Sequence, residues 1–480
     1  MSKGSTILSG LFWRFAERMG AQIVTFVVSI VLARILAPSD YGMISLVTIF
    51  VTIANVLVTS GFGNSLIQKK DADDLDFSSV FFAQLGLAIL LYVVLFFAAP
   101  YIAAFFGDGY ENLCQVLRVI GLRIPIAAIN NVQHAYVSRK MIFKKFFIAT
   151  IFGTIASAAV GLWMAYAGYG VWALVGQYLT NVVMDTIILG LTVAWRPRLL
   201  FSFARLKPLF SFGWKLLTVD LVNSLLNNLR TVLVGKVYSS SDLAYYDKGE
   251  QFPSLIVTNI NSSVQSVLFP AMSKEQDEPE KVKELLRTMI RVGSFVIFPL
   301  TFGLMAVAKP VILLLLTEKW IETVPYVQIF CASYSLRILS TSCAQSVKAM
   351  GRSDLYMKNT LIYKAIELCS IVISAIISVK AVAVGTLINA MILVFIQYNC
   401  NRKLTQYRIG EFLTDLLPCL LLSSSMVAVV AFMGMFSSSI IMVVFQILVG
   451  GIWYIGGAYL FRMKAMGTIL NIIKGFFHKT

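Results

Sequence analysis

Apolar residues in this chain are gathered into long blocks, and these blocks limit the folds available to it. Phe77–Phe106, Val292–Leu316 and Ile440–Phe461 are examples. Each is at least as long as the stretch of about 20 residues that crosses a hydrocarbon core as a helix. Only 13% of all residues are charged, which is about half the usual share in a soluble domain. The sequence therefore predicts an all-α polytopic membrane protein.

Fourteen transmembrane helices are predicted from the apolar blocks. Their approximate bounds are 11–36, 43–64, 77–106, 114–138, 146–167, 170–194, 209–235, 249–271, 288–316, 324–348, 359–379, 382–401, 414–436 and 440–461. The first block carries charged residues in its early turns and has no clean cleavage site, so we expect it to remain in the protein as a helix.

Basic residues alternate along the chain in a way that predicts orientation. The connection after helix four carries Arg139, Lys140, Lys144 and Lys145, whereas the connection after helix three, 107–112, carries no Lys or Arg. Cytoplasmic loops are enriched in Lys and Arg, and the other odd-numbered connections, taken together, are likewise poorer in Lys and Arg than the even-numbered ones. Both termini are therefore predicted to be cytoplasmic. The alternation also accounts for most of the formal charge of +16 without a nucleic-acid partner.

A short internal repeat divides the chain. Leu32–Gly42 closes helix one and Val234–Ala244 closes helix seven, at an offset of 202 residues that places Asp40 on Asp242. Helices one to six and seven to twelve are thus predicted to be parallel six-helix bundles related by a pseudo-two-fold axis along the membrane normal. Two C-terminal helices lie outside the repeat.

The repeat also gives predicted domain bounds. They are an N-terminal lobe at 1–195, a cytoplasmic linker at 196–208, a C-terminal lobe at 209–405, and the last two helices with the tail at 406–480.

Helix seven carries polar residues at membrane depth. Asp220, Asn223, Asn227 and Arg230 follow one another at steps of three or four residues, which places them on one helix face. Ionisable groups at this depth are costly and point to a site. We therefore expect this face to line a wet central cavity, although polar side chains of this kind also form hydrogen bonds between helices.

Arginines on other helices extend the predicted substrate site. Helix four carries Arg123, in line with Asn130 and His134, and helix ten carries Arg337, in line with Thr341 and Gln345. Arginine holds phosphate oxygens in a bidentate manner, so these residues indicate an anionic substrate.

The start of helix one adds further candidates. Arg14 and Arg18 lie near its cytoplasmic end and either face the cavity or extend to the interface. Glu17 and Asp220 are candidates for binding a coupling proton or sodium ion, or for pairing with nearby arginines. Lys364 and Glu367 are expected to pair with each other.

The residues give little support for a metal site, a cofactor or an enzyme activity. The chain has two histidines, and none of its six cysteines forms a Cys-x-x-Cys pair, so we predict no metal site and no cofactor. No nucleophile arrangement or large external loop is evident, and we do not expect an enzyme.

Four stretches resemble a known family. They are Leu32–Gly42 (LARILAPSDYG), Gly61–Lys70 (GFGNSLIQKK), Leu268–Asp277 (LFPAMSKEQD) and Thr317–Trp320 (TEKW). With the length, the fourteen spans and the repeat, they make the chain resemble the multidrug/oligosaccharidyl-lipid/polysaccharide exporter superfamily. The resemblance is closest to its polysaccharide transporter branch, the Wzx-type flippases, and there to the colanic-acid and teichuronic-acid exporter type.

The resemblance implies a function. The substrate would be an undecaprenyl-pyrophosphate-linked oligosaccharide, flipped from the cytoplasmic to the outer leaflet of a bacterial plasma membrane by alternating access driven by a cation gradient. The product would supply a separate polysaccharide polymerase, and membrane lipids would surround the protein. A cation-coupled multidrug exporter of the same superfamily is the main alternative, although such a protein should carry more cavity carboxylates than arginines.

Overall fold

The computed structural model is built from α-helices. It describes residues 3–60, 62, 65–66, 69, 71–107, 110, 112–140, 142–435 and 439–469, with side chains from residue 19 onward except 212, 215, 216, 266 and 267. Within these residues it contains seventeen α-helices and one short 3-10 helix. The chain divides into two compact units, Met1–Ala244 and Tyr245–Thr480.

The first unit contains eight complete helices and the start of a ninth. They are α1 (Lys3–Ile35), α2 (Pro38–Thr59), α3 (Asp74–Phe106), α4 (Leu113–Gly121), α5 (Arg123–Lys140), α6 (Lys144–Tyr166), α7 (Val171–Thr192), α8 (Phe203–Val237) and the first residues of α9 (Ser240–Lys274).

The second unit begins within α9. It continues with α10 (Pro279–Ala306), α11 (Ala308–Leu316), the 3-10 helix Glu318–Thr323, α12 (Val324–Ser335), α13 (Arg337–Ala349), α14 (Ser353–Ile377), α15 (Val379–Thr405), α16 (Ile409–Gly434) and α17 (Ile440–Leu460).

The helices agree with the predicted spans. Each of the fourteen coincides with one helix or with two consecutive helices. Ten helical segments of the described chain are long and apolar enough to cross a membrane. Large apolar side chains point outward, as lipid contact requires: Leu191 is 77% exposed, and Ile376 and Ile441 are each 78% exposed. The all-α membrane fold is thus confirmed. The count of fourteen crossings and the lobe bounds at 195 and 209 stay predictions.

Three predicted spans are broken into two helices each. The breaks fall at Leu122, Val307 and Leu336. A proline ring clashes with the carbonyl group four residues earlier, and Pro125 and Pro310 stand four residues after the last residues of α4 and α10. The break at Leu336 has no such proline.

Small residues let helices of the first unit approach closely, a common feature of membrane helix packing. A Cβ atom at Gly176 of α7 would lie 2.4 Å from the sulfur of Met164 of α6. A Cβ atom at Gly42, in the quoted LARILAPSDYG stretch, would lie 1.8 Å from the backbone oxygen of Ser240. Glycine is therefore required where α2 meets the start of α9.

An ion cluster joins the start of α3 to the first turn of α8. The Asp76 carboxylate is fully buried and accepts a hydrogen bond from Lys69 Nζ at 2.6 Å. Arg205 Nη2 lies 3.5 Å from the carboxylate of Asp73, which caps α3 by accepting from the Asp76 backbone N–H at 2.9 Å. Arg205 of the predicted linker is thus held at the start of α3.

A second ion cluster joins α10 to α16 in the other unit. Arg287 donates to Asp415 from Nε at 2.7 Å and from Nη2 at 3.1 Å, and to Glu411 from Nη1 at 2.9 Å. Arg291 Nε donates to Asp415 at 2.6 Å, and the hydroxyl of the buried Tyr407 donates to the same carboxylate at 2.8 Å. Asp415 therefore holds two guanidinium groups in place.

Candidate functional site

The predicted fourth span forms α4 and α5 in the structure. Its predicted polar face lies on α5 and is met by polar side chains of α7. Asn130 Nδ2 donates to Asp185 Oδ2 at 2.9 Å and lies 3.1 Å from Thr186 Oγ1. His134 Nε2 lies 3.0 Å from the same Asp185 oxygen, and its ring stacks on Phe146 with centroids 4.8 Å apart. Asp185 thus gathers two side-chain donors in a partly buried position.

Asp185 was not among the residues singled out from the sequence. It stands in the apolar run Val182–Leu191, and an ionisable residue in such a run is itself a signal for a site. The face of α5 was therefore predicted, whereas its partner helix was missed.

Arg123 begins α5, directly after the break at Leu122. Its guanidinium carbon lies 5.0 Å from the centre of the Tyr178 ring of α7. Its Nε is buried and has no hydrogen-bond partner among the described residues. A stacked guanidinium with unused donors is suited to receiving an anionic oxygen.

Arg337 occupies a similar place in the second unit. It begins α13, directly after the break at Leu336, and its guanidinium carbon lies 5.4 Å from the centre of the Tyr334 ring. The Tyr334 hydroxyl donates to Glu250 of α9 at 2.9 Å. Glu250 is a further polar group that sequence reasoning missed.

The two arginines share their local setting. Each follows a leucine at a helix break, precedes an isoleucine and packs on a tyrosine ring. Within the described part of the chain, neither comes within 4 Å of a carboxylate. Both guanidinium groups therefore keep their charge available for a ligand.

The predicted tenth span forms α12 and α13 in the structure. The polar partners of its side chains lie on α9. Asn261 Nδ2 donates to Thr341 Oγ1 at 3.1 Å, and Gln345 Nε2 donates to Gln265 Oε1 at 2.6 Å. These contacts are hydrogen bonds between helices. Such bonding is the alternative to lining a central cavity for polar side chains of this kind.

The remaining predicted residues lie on α8 and α1. Asp220, Asn223 and Asn227 are exposed on α8, and Arg230 is half-buried. Arg14, Glu17 and Arg18 lie in α1, but their side chains fall outside the described residues. The roles of all these residues stay predictions.

Lys364 and Glu367 form the expected pair, with Lys364 Nζ 2.7 Å from Glu367 Oε2. Across the described residues no group of three His, Cys, Asp or Glu side chains has the geometry to hold a metal ion.

Comparisons with known proteins give the chain its relatives. It is 27% identical over 355 residues to the teichuronic acid biosynthesis protein TuaB of Bacillus subtilis (strain 168), covering 73% of this chain and 72% of TuaB. It is 26% identical over 368 residues to the lipopolysaccharide biosynthesis protein WzxC of Escherichia coli (strain K12), covering 75% of this chain and 73% of WzxC.

Solved structures share the fold. The lipid II flippase MurJ in an inward closed conformation matches with a TM-score of 0.73 at 16% identity, covering 94% of this chain and 98% of that one. An inward-facing multidrug resistance transporter of the MATE family matches with a TM-score of 0.61 at 14% identity, covering 80% and 94%. At these identities the likenesses show that the chain shares the fold of these proteins.

A family model covers the larger part of the chain. The model described as "Polysaccharide biosynthesis protein" matches residues 31–325, a range that holds the helix break at Leu122, Arg123 and the cluster around Asp185. The resemblance predicted from four short stretches is thereby confirmed, and the chain belongs to the polysaccharide biosynthesis protein family.

Proposed function

We propose that this protein flips an undecaprenyl-pyrophosphate-linked oligosaccharide from the cytoplasmic to the outer leaflet of a bacterial plasma membrane. The family match over residues 31–325 carries the proposal. It is supported by relatives named for teichuronic acid, succinoglycan and lipopolysaccharide biosynthesis. Both termini would face the cytoplasm, in line with the distribution of basic residues.

Each of the two arginines at the helix breaks, one in each unit, would offer a binding group for phosphate oxygens. Arg123 and Arg337 each stack on a tyrosine and lack a carboxylate partner within 4 Å among the described residues. A charge-assisted hydrogen bond from guanidinium to phosphate contributes about 1.5 to 3 kcal/mol. Broken helices at membrane depth also recur at transporter substrate sites, where freed backbone groups line a cavity.

Transport would be driven by a proton or sodium gradient through alternating access. Glu17 and Asp220 remain candidates for the coupling ion, and the Asp185 carboxylate beside His134 is a third. We propose transport without a cofactor or a catalytic step, in line with the relative that is named as a succinoglycan biosynthesis transport protein.

A multidrug exporter is the less supported alternative. Its substrates are usually cationic, so a site for them should present carboxylates in excess of arginines. The likeness to the multidrug transporter rests on fold alone, and the curated relatives cited above are polysaccharide proteins.

Reconstitution into liposomes with labelled undecaprenyl-pyrophosphate oligosaccharide tests the function directly. We expect the lipid-linked sugar to reach the far leaflet under an ion gradient, and the proposal fails if it never does. Arg123→Gln and Arg337→Gln should each weaken substrate affinity about 10- to 100-fold.

Arg352→Gln provides the matched control for these variants. Arg352 lies outside the proposed site, where it pairs with exposed Asp354. If all three variants flip the substrate equally well, the two arginines do not bind the pyrophosphate.

A further inference from the structure

Two cavities adjoin in the second unit, where α10 and α16 begin and α17 ends. One has a volume of about 910 Å³ and the other of about 870 Å³. Both are lined by Arg287, Arg291 and Lys464. We call the space around these three residues the α10–α16 pocket.

Positive charge dominates this pocket. The larger cavity is lined by five basic and two acidic side chains. The other is lined by Arg287, Arg291, Arg462 and Lys464 with Asp415 as the sole carboxylate on its wall. Arg462 and Lys464 are exposed, and no carboxylate of the described residues lies within 4 Å of either charge. Arg462 and Lys464 therefore offer the pocket positive charge that can bind an anion.

Asp415 fixes one of these charges in a useful orientation. It is 4% exposed at its side chain and accepts from Arg291 Nε at 2.6 Å. Only Nε of Arg291 is engaged in this ion pair, so its two terminal nitrogens remain for a ligand. A guanidinium held by a buried carboxylate and open at its far end can bind phosphate oxygens in a bidentate manner.

One wall of the pocket is apolar. The cavity that holds Arg462 is also lined by Leu417, Leu421, Leu422 and Phe461. Leu421 and Phe461 are more than half exposed. Free phosphate would leave this wall uncovered, whereas a lipid would place its headgroup on the arginines and an acyl chain along the leucines.

We infer that the α10–α16 pocket binds an anionic glycerophospholipid of the leaflet predicted to be cytoplasmic. Its phosphate would lie between Arg291 and Lys464, with Arg462 at the rim. Basic pockets at this side of membrane helices are suited to anionic headgroups, and each Lys or Arg near such a headgroup strengthens binding roughly fivefold. The inference does not depend on the transported substrate.

The test uses purified full-length protein in neutral detergent. It is titrated into chain-labelled phosphatidylglycerol or phosphatidylcholine with identical acyl chains, and binding is followed by fluorescence anisotropy. The double variant Arg462→Gln/Lys464→Gln removes two charges and leaves the Arg287–Asp415 and Arg291–Asp415 pairs intact. The double variant Arg402→Gln/Lys403→Gln removes two exposed charges elsewhere on the side predicted to be cytoplasmic.

We expect wild-type protein to prefer phosphatidylglycerol, and the pocket variant to lose about 25-fold in affinity. The control variant should keep wild-type affinity. Equal binding of the two lipids, or equal loss in both variants, would overturn the inference. So would displacement of phosphatidylglycerol by a polyprenyl pyrophosphate at lower concentration than by unlabelled phosphatidylglycerol, because the pocket would then belong to the substrate.

Discussion

Replacing Asp415 by asparagine should destabilise the second unit strongly. The substitution keeps the shape of the side chain and one oxygen acceptor but removes the charge that compensates Arg291 and that shares Arg287 with Glu411. Deleting one partner of a buried ion pair typically costs about 3 to 5 kcal/mol, because the other charge stays buried and unpaired. The effect follows from four hydrogen bonds that converge on this single carboxylate.

The structure places the cost at the lower end of that range. The two guanidinium groups are 24% and 23% exposed, so water can partly replace the lost carboxylate. The amide oxygen of asparagine can still accept from the Tyr407 hydroxyl. We therefore expect a loss of about 3 kcal/mol in the free energy of unfolding.

The assay is equilibrium unfolding in mixed micelles as the share of dodecyl sulfate is raised. Asp354→Asn is the matched control, because Asp354 also forms a bidentate pair with an arginine. Arg352 donates to its Oδ1 at 3.1 Å and to its Oδ2 at 3.0 Å. That pair is exposed on both sides, and exposed pairs contribute little. The reasoning is refuted if the two variants unfold at the same denaturant level.

Three further changes test other parts of the first unit. Gly42→Ala should destabilise the protein strongly, since its Cβ would overlap the Ser240 backbone; Gly86→Ala, with no atom within 4 Å, should be neutral or slightly stabilising in thermal unfolding. Asp185→Asn should lower stability by about 1 to 3 kcal/mol, because a neutral amide oxygen replaces the carboxylate that accepts from Asn130 and His134, and an unchanged melting curve would contradict these contacts. A hydrogen bond from the backbone N–H of Asp76 holds the pKa of Asp73 below its usual range. The stability that this cap contributes should therefore be present above about pH 3.9 and be lost as the pH falls below the pKa of Asp73 in the folded protein. If Asp73→Ala remained less stable than wild type at still lower pH, the result would oppose this.

The positions of most helices could be predicted from the sequence, because the length and apolarity of a segment are enough to indicate a membrane helix. The block Phe77–Phe106 became α3 with a difference of three residues at its start. Helix breaks were harder to predict. Pro125 and Pro310 signal two of them, yet Pro253 and Pro299 lie inside unbroken helices, so proline alone does not decide between a kink and a continuous helix.

Site residues were predictable as helix faces but not as pairs. The spacing of Arg123, Asn130 and His134 indicates one face, and the structure confirms that the latter two share a partner. The identity of that partner, Asp185, depends on which helix packs alongside, and periodicity carries no such information. The stacking of Arg123 on Tyr178 was unpredictable for the same reason.

The two ion clusters occupy corresponding places in the predicted twelve-helix repeat. In the first unit, acidic Asp76 at the start of α3 lies with basic Arg205 at the start of α8. In the second, basic Arg287 near the start of α10 lies with acidic Glu411 at the start of α16. In the predicted numbering, each cluster joins the third span of a half to the span that follows its sixth, with the signs reversed. Exchanging α8 and α16 would set like charges against each other at both places, a repulsion that disfavours the wrong partner. The reversed charges therefore favour the observed pairing of α3 with α8 and of α10 with α16.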